Sequence, residues 1–351
     1  MRTLRFILKA AIFINLCLFT LAAADARTEV KSAVNAGPCT RPDIQIEERP
    51  GPTDRPTEVT VGFRLLDVTA IEDTSQSITA DFVLSQTWTD QRLAAFEGCR
   101  FGLDEVWNPQ IDIINAGRLF TRLPQRVDVL ESGRVRYLQR YQGSMVFRYD
   151  AHQFPFDLHD IVITLLSIEY GEKDVRFIID EAFTGRKSDE FNVPDWEISE
   201  VQAKIFSQAM DAFSRNNAGY AFSISAKRRP GYYIGKVIFP LILIVLMSWT
   251  VFWIDPAQFG SQIGMSATSM LTLIAFQFAM GNILPPLNYY TLMDKFIIGS
   301  TILVFLSLIE SVTTSCLVAM QKRETALRID RLCRLAFPAA FAALNLFVFT
   351  V

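Results

Sequence analysis

Charge and apolar residues are segregated along this chain, and the segregation limits what it can fold into. Half of the 351 residues (50%) are hydrophobic and 20% are charged, but charge concentrates between 40 and 230 and apolar residues dominate from 237 onward. Residues 237–254, "VIFPLILIVLMSWTVFWI", carry no charge; residues 296–320 carry one acid, Glu310; residues 335–351 are apolar throughout. Each run is about long enough to cross a hydrocarbon core ~30 Å thick. Between the first two lies "QIGMSATSMLTLIAFQFAMGNIL", residues 262–284, which is uncharged but seeded with Gln, Ser, Thr and Asn. These runs predict four spanning helices, over about 233–254, 262–284, 294–320 and 332–351, in a membrane domain of residues 230–351.

The first residues, "MRTLRFILKAAIFINLCLFTLAAADA", pair a basic start (Arg2, Arg5, Lys9) with an apolar run and small residues near Ala24 and Ala26. That is the pattern of a secretory signal peptide, expected over 1–26, and the run is short for a membrane anchor. Export places the next segment outside the cell membrane. Of five cysteines only Cys39 and Cys99 fall in that segment. An oxidising compartment permits a disulfide between them, but spacing alone does not separate a bond from two free thiols.

Residues 27–58 are rich in proline and charge and read as an N-terminal arm. Over 59–229 the texture becomes strand-like, in "VTVGFRLLDV", "SITADFVLSQTWTD", "RVRYLQRYQGSMVFRY", "IVITLLSI" and "AFSISAK". The expected fold is an all-β immunoglobulin-like extracellular sandwich followed by an all-α four-helix transmembrane domain. The net charge of -3 argues against nucleic acid as a partner.

An exported domain followed by four spans leaves the link "QKRETALRIDRLCR" inside, with Lys322, Arg323, Arg328, Arg331 and Arg334 against Glu324 and Asp330. This agrees with the positive-inside rule. Lys227, Arg228 and Arg229 sit on the opposite side, before the first span. Basic residues kept there imply a local task, such as pairing with acids of the β-domain.

In the second span, Gly264, Thr268, Leu271, Ala275, Phe278 and Asn282 alternate four and three apart and share one helix face. Its ends are small or polar and its middle is apolar. Several copies around an axis would make a channel that narrows at Leu271 and Phe278, where apolar rings exclude water. Polar residues in such a span also serve to pack helix on helix, and both readings stand. Glu310, inside the third span, is a functional candidate by position, with a hydrogen bond to Ser or Thr of a neighbouring helix as the preferred reading.

Residues 154–157 read "FPFD" between two strand-like runs, where a hairpin would use Asn-Gly or Asp-Gly. Two phenylalanines there require a cover. With "SQTWTDQRL" (Trp88, Asp90), "VWNPQIDIINAG" (Trp107, Pro109), "RRPGYYIGKVIFPLILIVLMSWTVFWI", "GNILPPLNYYTLMDK" and "RLCRLAFP" in consistent order, the chain resembles the pentameric ligand-gated ion channels of the Cys-loop superfamily. The resemblance covers nearly everything after the first segment and is closest to the prokaryotic branch. The cysteines that bracket the FPFD segment in animal members fall here on Phe147 and Ile161, and the cytoplasmic link is short.

The resemblance implies a homopentamer in the cell inner (plasma) membrane, with four identical subunits as partners of each chain and lipid around them. A small-molecule agonist or a proton would open it to inorganic ions, with cations favoured. It implies no cofactor, no metal and no enzymatic activity. It places agonist at subunit interfaces, where Asp112, Tyr137, Phe206, Phe213 and Tyr220 are lining candidates. Ile114 and Ile168 stand where the family has aromatics that attract amines. It places the gating interface at Glu72, Phe154, Pro155, Phe156, Asp157, Arg228, Pro285 and Pro286, with Asp157 and Glu72 as partners for Arg228. His152 and His159, the only histidines, read as surface residues. The competing reading is a non-conducting membrane sensor that signals through a partner; a carrier is weaker, because the spans show no repeat.

Overall fold

The computed structural model describes residues 39–186, 191, 193–210, 215–280 and 287–350. The expected signal segment, Phe213, Asn282, Pro285 and Pro286 lie outside them. From Thr57 to Arg228 the described elements are mostly strands: β1 (Thr57–Glu72), β2 (Ser77–Thr89), β3 (Arg100–Gly102), β4 (Ile111–Ile113), β5 (Ala116–Thr121), β6 (Arg126–Val129), β7 (Arg134–Val146), β8 (Leu158–Gly171), β9 (Val175–Ile179), β10 (Gly185–Arg186), β11 (Trp196–Met210) and β12 (Arg215–Arg228). One sheet runs β10-β1-β2-β7-β6-β3, with β5 on β7 and β9 on β1; the other runs β11-β12-β8-β4.

Side-chain parity builds the sandwich. In β7, Val135, Tyr137 and Gln139 turn inward while Arg134, Arg136 and Arg140 face solvent. In β12, Tyr220, Phe222, Ile224 and Ala226 turn inward together. The two layers meet in an aromatic column. Phe63 of β1 stacks on Phe82 of β2 at 4.5 Å and on Phe222 of β12 at 4.2 Å. All three rings are fully buried, and burial of such a side chain is worth about 1.5–3 kcal/mol.

The arm is tied to this sandwich. Cys39 and Cys99 form a disulfide, which resolves the choice that the sequence left open. Arg92 pairs with buried Asp90 at 2.7 Å and donates to the carbonyls of Gln45 and Glu48, each at 3.0 Å.

Four helices follow that are long and apolar enough to cross a membrane: α1 (Gly231–Trp253), α2 (Phe259–Met280), α3 (Leu292–Ala319) and α4 (Arg323–Thr350). Helix α3 opens on a capping box, Thr291 with Asp294. Helix α4 begins at Arg323 rather than near 332. The basic link is therefore mostly helix, and the turn is confined to Met320–Lys322, with Gln321 at φ 62°. No proline or glycine interrupts the chain between the turn and Pro338, so nothing stops the helix earlier. Arg323 at its start pairs with Asp255, ahead of α2, at 2.6 Å.

Candidate functional site

The end of β12 delivers Arg228 to the boundary between sandwich and membrane helices. Its side chain is almost fully buried. Nε and Nη2 donate to Asp157 at 2.8 and 3.1 Å, and Nη1 and Nη2 donate to Asp73 at 2.9 and 2.7 Å. Nη2 also reaches the Tyr149 hydroxyl at 3.2 Å and Nη1 the Tyr233 hydroxyl at 3.4 Å. Above the guanidinium plane lie Trp196, 4.2 Å to the ring centre, and Phe154, 4.9 Å. Two bidentate carboxylates and aromatic faces are the surroundings a guanidinium fits and an ammonium does not. Burial opposes the charge on Arg228, but its bonds to Asp73 and Asp157 outweigh burial and push its pKa above the ordinary guanidinium value. Burial likewise opposes a charged Asp157, and bonds from His159 and Arg228 hold its carboxyl below the usual range.

The structure corrects two expectations here. Glu72 does not meet Arg228: it is exposed and accepts a bond from Ser75 at 2.9 Å. Its neighbour Asp73, in the turn after β1, points inward and takes that place. His159 is no surface histidine. It is 3% exposed, its Nε2 lies 2.6 Å from Asp157 Oδ2, and Tyr149, Trp196 and Phe147 surround its ring. His152 is exposed and stacks on Tyr289 at 3.9 Å. Asp73, Tyr149, His159, Trp196 and Tyr233 were all missed as members of this cluster. Only parity gave a signal, because His159 shares the inward face of β8 with Ile161 and Ile163.

The cover for FPFD comes from both domains. Phe154 is 1% exposed and meets Tyr233 of α1 edge-on at 4.7 Å. Phe156 is 42% exposed and meets Phe349, near the end of α4, at 6.0 Å. The Phe154–Pro155 peptide is cis. Just upstream, Ala151 N–H donates to the Tyr289 hydroxyl at 3.0 Å and Leu292 N–H donates to His152 O at 3.1 Å. The loop is thereby bonded to the segment that leads into α3.

Helix α2 has two opposite faces. Gln262, Ser266, Ser269 and Leu273 are buried against its neighbours. Ser266 shares a hydrogen bond with Ser311 of α3 at 2.9 Å, and Gln277 donates to Thr301 at 2.6 Å. Gly264, Thr268, Leu271, Ala275 and Phe278 are exposed on the other side, with Leu271 at 68% and Phe278 at 78%. The polar residues of this span thus divide: one set packs helix on helix, and the other lies on the free stripe.

Around the lining candidates the structure is less uniform. Asp112 borders a cleft of roughly 540 Å³ with Gln110, Ile111, Ile168, Glu169 and Arg215. Phe206 is half-buried, with its ring over Gly219, where a Cβ would come within 2.6 Å of it. Tyr137 and Tyr220 do not reach this cleft. Their inward parity buries them, Tyr137 bonded to Gln139 at 3.3 Å and Tyr220 to Thr184 at 3.2 Å.

Two family models match in succession. The first, described as the neurotransmitter-gated ion-channel ligand binding domain, matches residues 43–230. The second, the neurotransmitter-gated ion-channel transmembrane region, matches residues 237–327. The chain belongs to this family of ligand-gated ion channels. Its boundary between the two matches falls at the Arg228 joint and the start of α1. Among the similar members is a proton-gated ion channel of Gloeobacter violaceus, 24% identical over 300 residues, 84% of this chain and 82% of that one. Another is the human gamma-aminobutyric acid receptor subunit rho-3, 22% identical over 308 residues, 84% of this chain and 65% of that one. The chicken gamma-aminobutyric acid receptor subunit beta-4 is 24% identical over 276 residues. The chain spans less than two thirds of the length of these animal members. As a ligand-gated channel of the pentameric Cys-loop superfamily it is a multi-pass membrane protein with its β-domain outside, and it belongs to a non-enzymatic class.

Proposed function

We propose that the chain assembles as a homopentamer in which five copies of α2 line a cation-conducting pore, opened by a ligand bound between neighbouring β-domains. The free stripe of α2 carries this reading. Thr268, Leu271 and Phe278 are exposed on the face opposite the one that holds α2 to α3, and in a pentamer that face turns to the axis. Leu271 and Phe278 would then form apolar rings that bar ions by excluding water. The cation preference rests on the lack of any basic residue from 255 to 280, where the one charge is Asp255, paired with Arg323. The cleft beside Asp112 and Glu169 is the agonist site in this reading, completed by the adjacent subunit. Ile168, which lines it in place of an aromatic, makes it a poor cage for quaternary amines, so a small organic molecule of other chemistry or a proton is the agonist. The Arg228 joint, with FPFD, would carry the change to the helices. A ligand shifts such an equilibrium only by its different affinity for the two states.

The test is current recording from membranes that hold the full chain, during application of small molecules and acid. Leu271→Ser should wet the constriction and produce standing current without agonist, with a reversal potential that follows the cation gradient. A silent Leu271→Ser protein at the cell surface would overturn the channel reading in favour of a sensor, and a reversal potential that follows chloride would overturn the cation assignment.

A further inference from the structure

The Arg228 joint is one positive charge short. Arg228 supplies one, and Asp157 and Asp73 take away two. The side chains of Arg228 and Asp157 are 2% exposed and that of Asp73 is 11% exposed, so water compensates little of the excess. An unbalanced charge in such surroundings is costly. Among the described residues, the one other side chain bonded to these carboxylates that can become a cation is His159.

Its chemistry leaves one position for a proton. Asp157 Oδ2 accepts and does not donate when ionised, so the His159 Nε2 at 2.6 Å carries hydrogen in either charge state. A second proton goes to Nδ1 and makes the ring an imidazolium. The groups that face the ring are known from every packed element. Tyr149 and Phe147 come from the segment between β7 and FPFD, Trp196 from β11, and Asp157 from the foot of β8, with Arg228 of β12 and Asp73 behind it. Asp150 adds a further negative charge nearby. Acids outnumber the cation, and the remaining neighbours are aromatic faces.

Resting on the channel reading for its consequence but not for its chemistry, we propose that His159 is a positioning residue of the joint. It holds Asp157 in line with Arg228, and its imidazolium form completes the charge balance. Acid on the outer side then tightens the joint between β12, the FPFD loop and α1. Imidazoles as a class change charge between about pH 5 and 8, which sets the range for the test.

Two measurements test this separately. In full-length protein labelled with ¹⁵N at its two histidines, His152→Gln assigns the remaining signal to His159. Proton uptake by that signal should move to lower pH in Asp73→Asn, because one facing negative charge is gone. An unchanged midpoint would overturn the proposal. In the Leu271→Ser background, current should change roughly fivefold or more between about pH 7.5 and about pH 5.5 outside. His159→Gln, which keeps a donor for Asp157 but cannot become a cation, should flatten that profile while assembly persists. An identical profile in His159→Gln would overturn the proposal even if the channel conducts. A silent Leu271→Ser would strike the channel reading instead, and the histidine titration would still decide the charge coupling.

Discussion

Two groups of buried ionisable side chains, one in each domain, are built on opposite principles. At the foot of the sandwich, Arg228 spends its guanidinium on Asp73 and Asp157 and lies under aromatic rings. Between α3 and α4, the buried carboxyl groups of Glu310 and Asp330 have no hydrogen-bonding partner among the described residues. Arg334, four residues beyond Asp330, donates its Nε–H to Phe252 O instead. The first cluster links separate elements of two domains by opposite charge. The second sets two acids on packed helices of one domain with no cation bonded to either. The comparison teaches that buried polarity has different worth by partner. Removal of one member leaves stranded charge in the joint, whereas a neutral amide can replace either acid in the pair.

Four tests can break that contrast. Arg228→Ala should have the largest effect, because it leaves two buried carboxylates without a cation, at about 3–5 kcal/mol. Opening should be lost while the protein still reaches the surface, and unchanged currents would remove the joint from gating. Phe154→Ala comes next, with a cavity cost of about 3 kcal/mol from a ring that is 1% exposed. Phe156→Ala should cost well under half of that, since the ring is 42% exposed, as thermal unfolding in detergent can compare. Equal losses would mean that the two rings share one environment.

The third test is pH. Asp157 is held below the usual carboxylate range, so its contribution is full above about pH 4 and is lost as pH falls through its lower folded value. Thermal stability should drop in that acid range, and Asp157→Asn should lack this part of the drop while it lowers stability at neutral pH. Glu310→Gln should be the mildest change, under about 1 kcal/mol, because it removes no hydrogen bond that the carboxyl makes. A loss from Glu310→Gln as large as that from Arg228→Ala would end the distinction between the two clusters.

Much of the fold was legible before any coordinates. Runs with at most one charge marked α1 to α3 because a bilayer core admits little else. The start of α4 was not legible, since Arg323, Arg328 and Asp330 look like a link until one sees that nothing there stops a helix. At the joint, Arg228 and Asp157 stood out because basic residues on the unfavoured side need a partner. The choice of Asp73 over Glu72 was hidden, because adjacent residues at a strand end point opposite ways and the end itself is set by the turn. Tyr137 and Tyr220 could have been placed inside by parity, since Tyr220 shares its face with Phe222 and Ile224. The aromatic residue type alone had suggested a ligand.

By itself, then, the order of residues determined the two-domain plan, the four spans, and the stripe Gly264–Thr268–Leu271–Ala275–Phe278, because each depends on local composition or on a fixed period. Tertiary structure alone decided the Cys39–Cys99 bond, the burial of His159, and which acid holds Arg228. FPFD shows the divide in four residues. Its phenylalanines announced a need for cover, but Tyr233 and Phe349, which supply it, are brought there only when separate stretches of chain pack. Contacts between distant residues follow from the packing of whole surfaces, and no short window of sequence contains both sides.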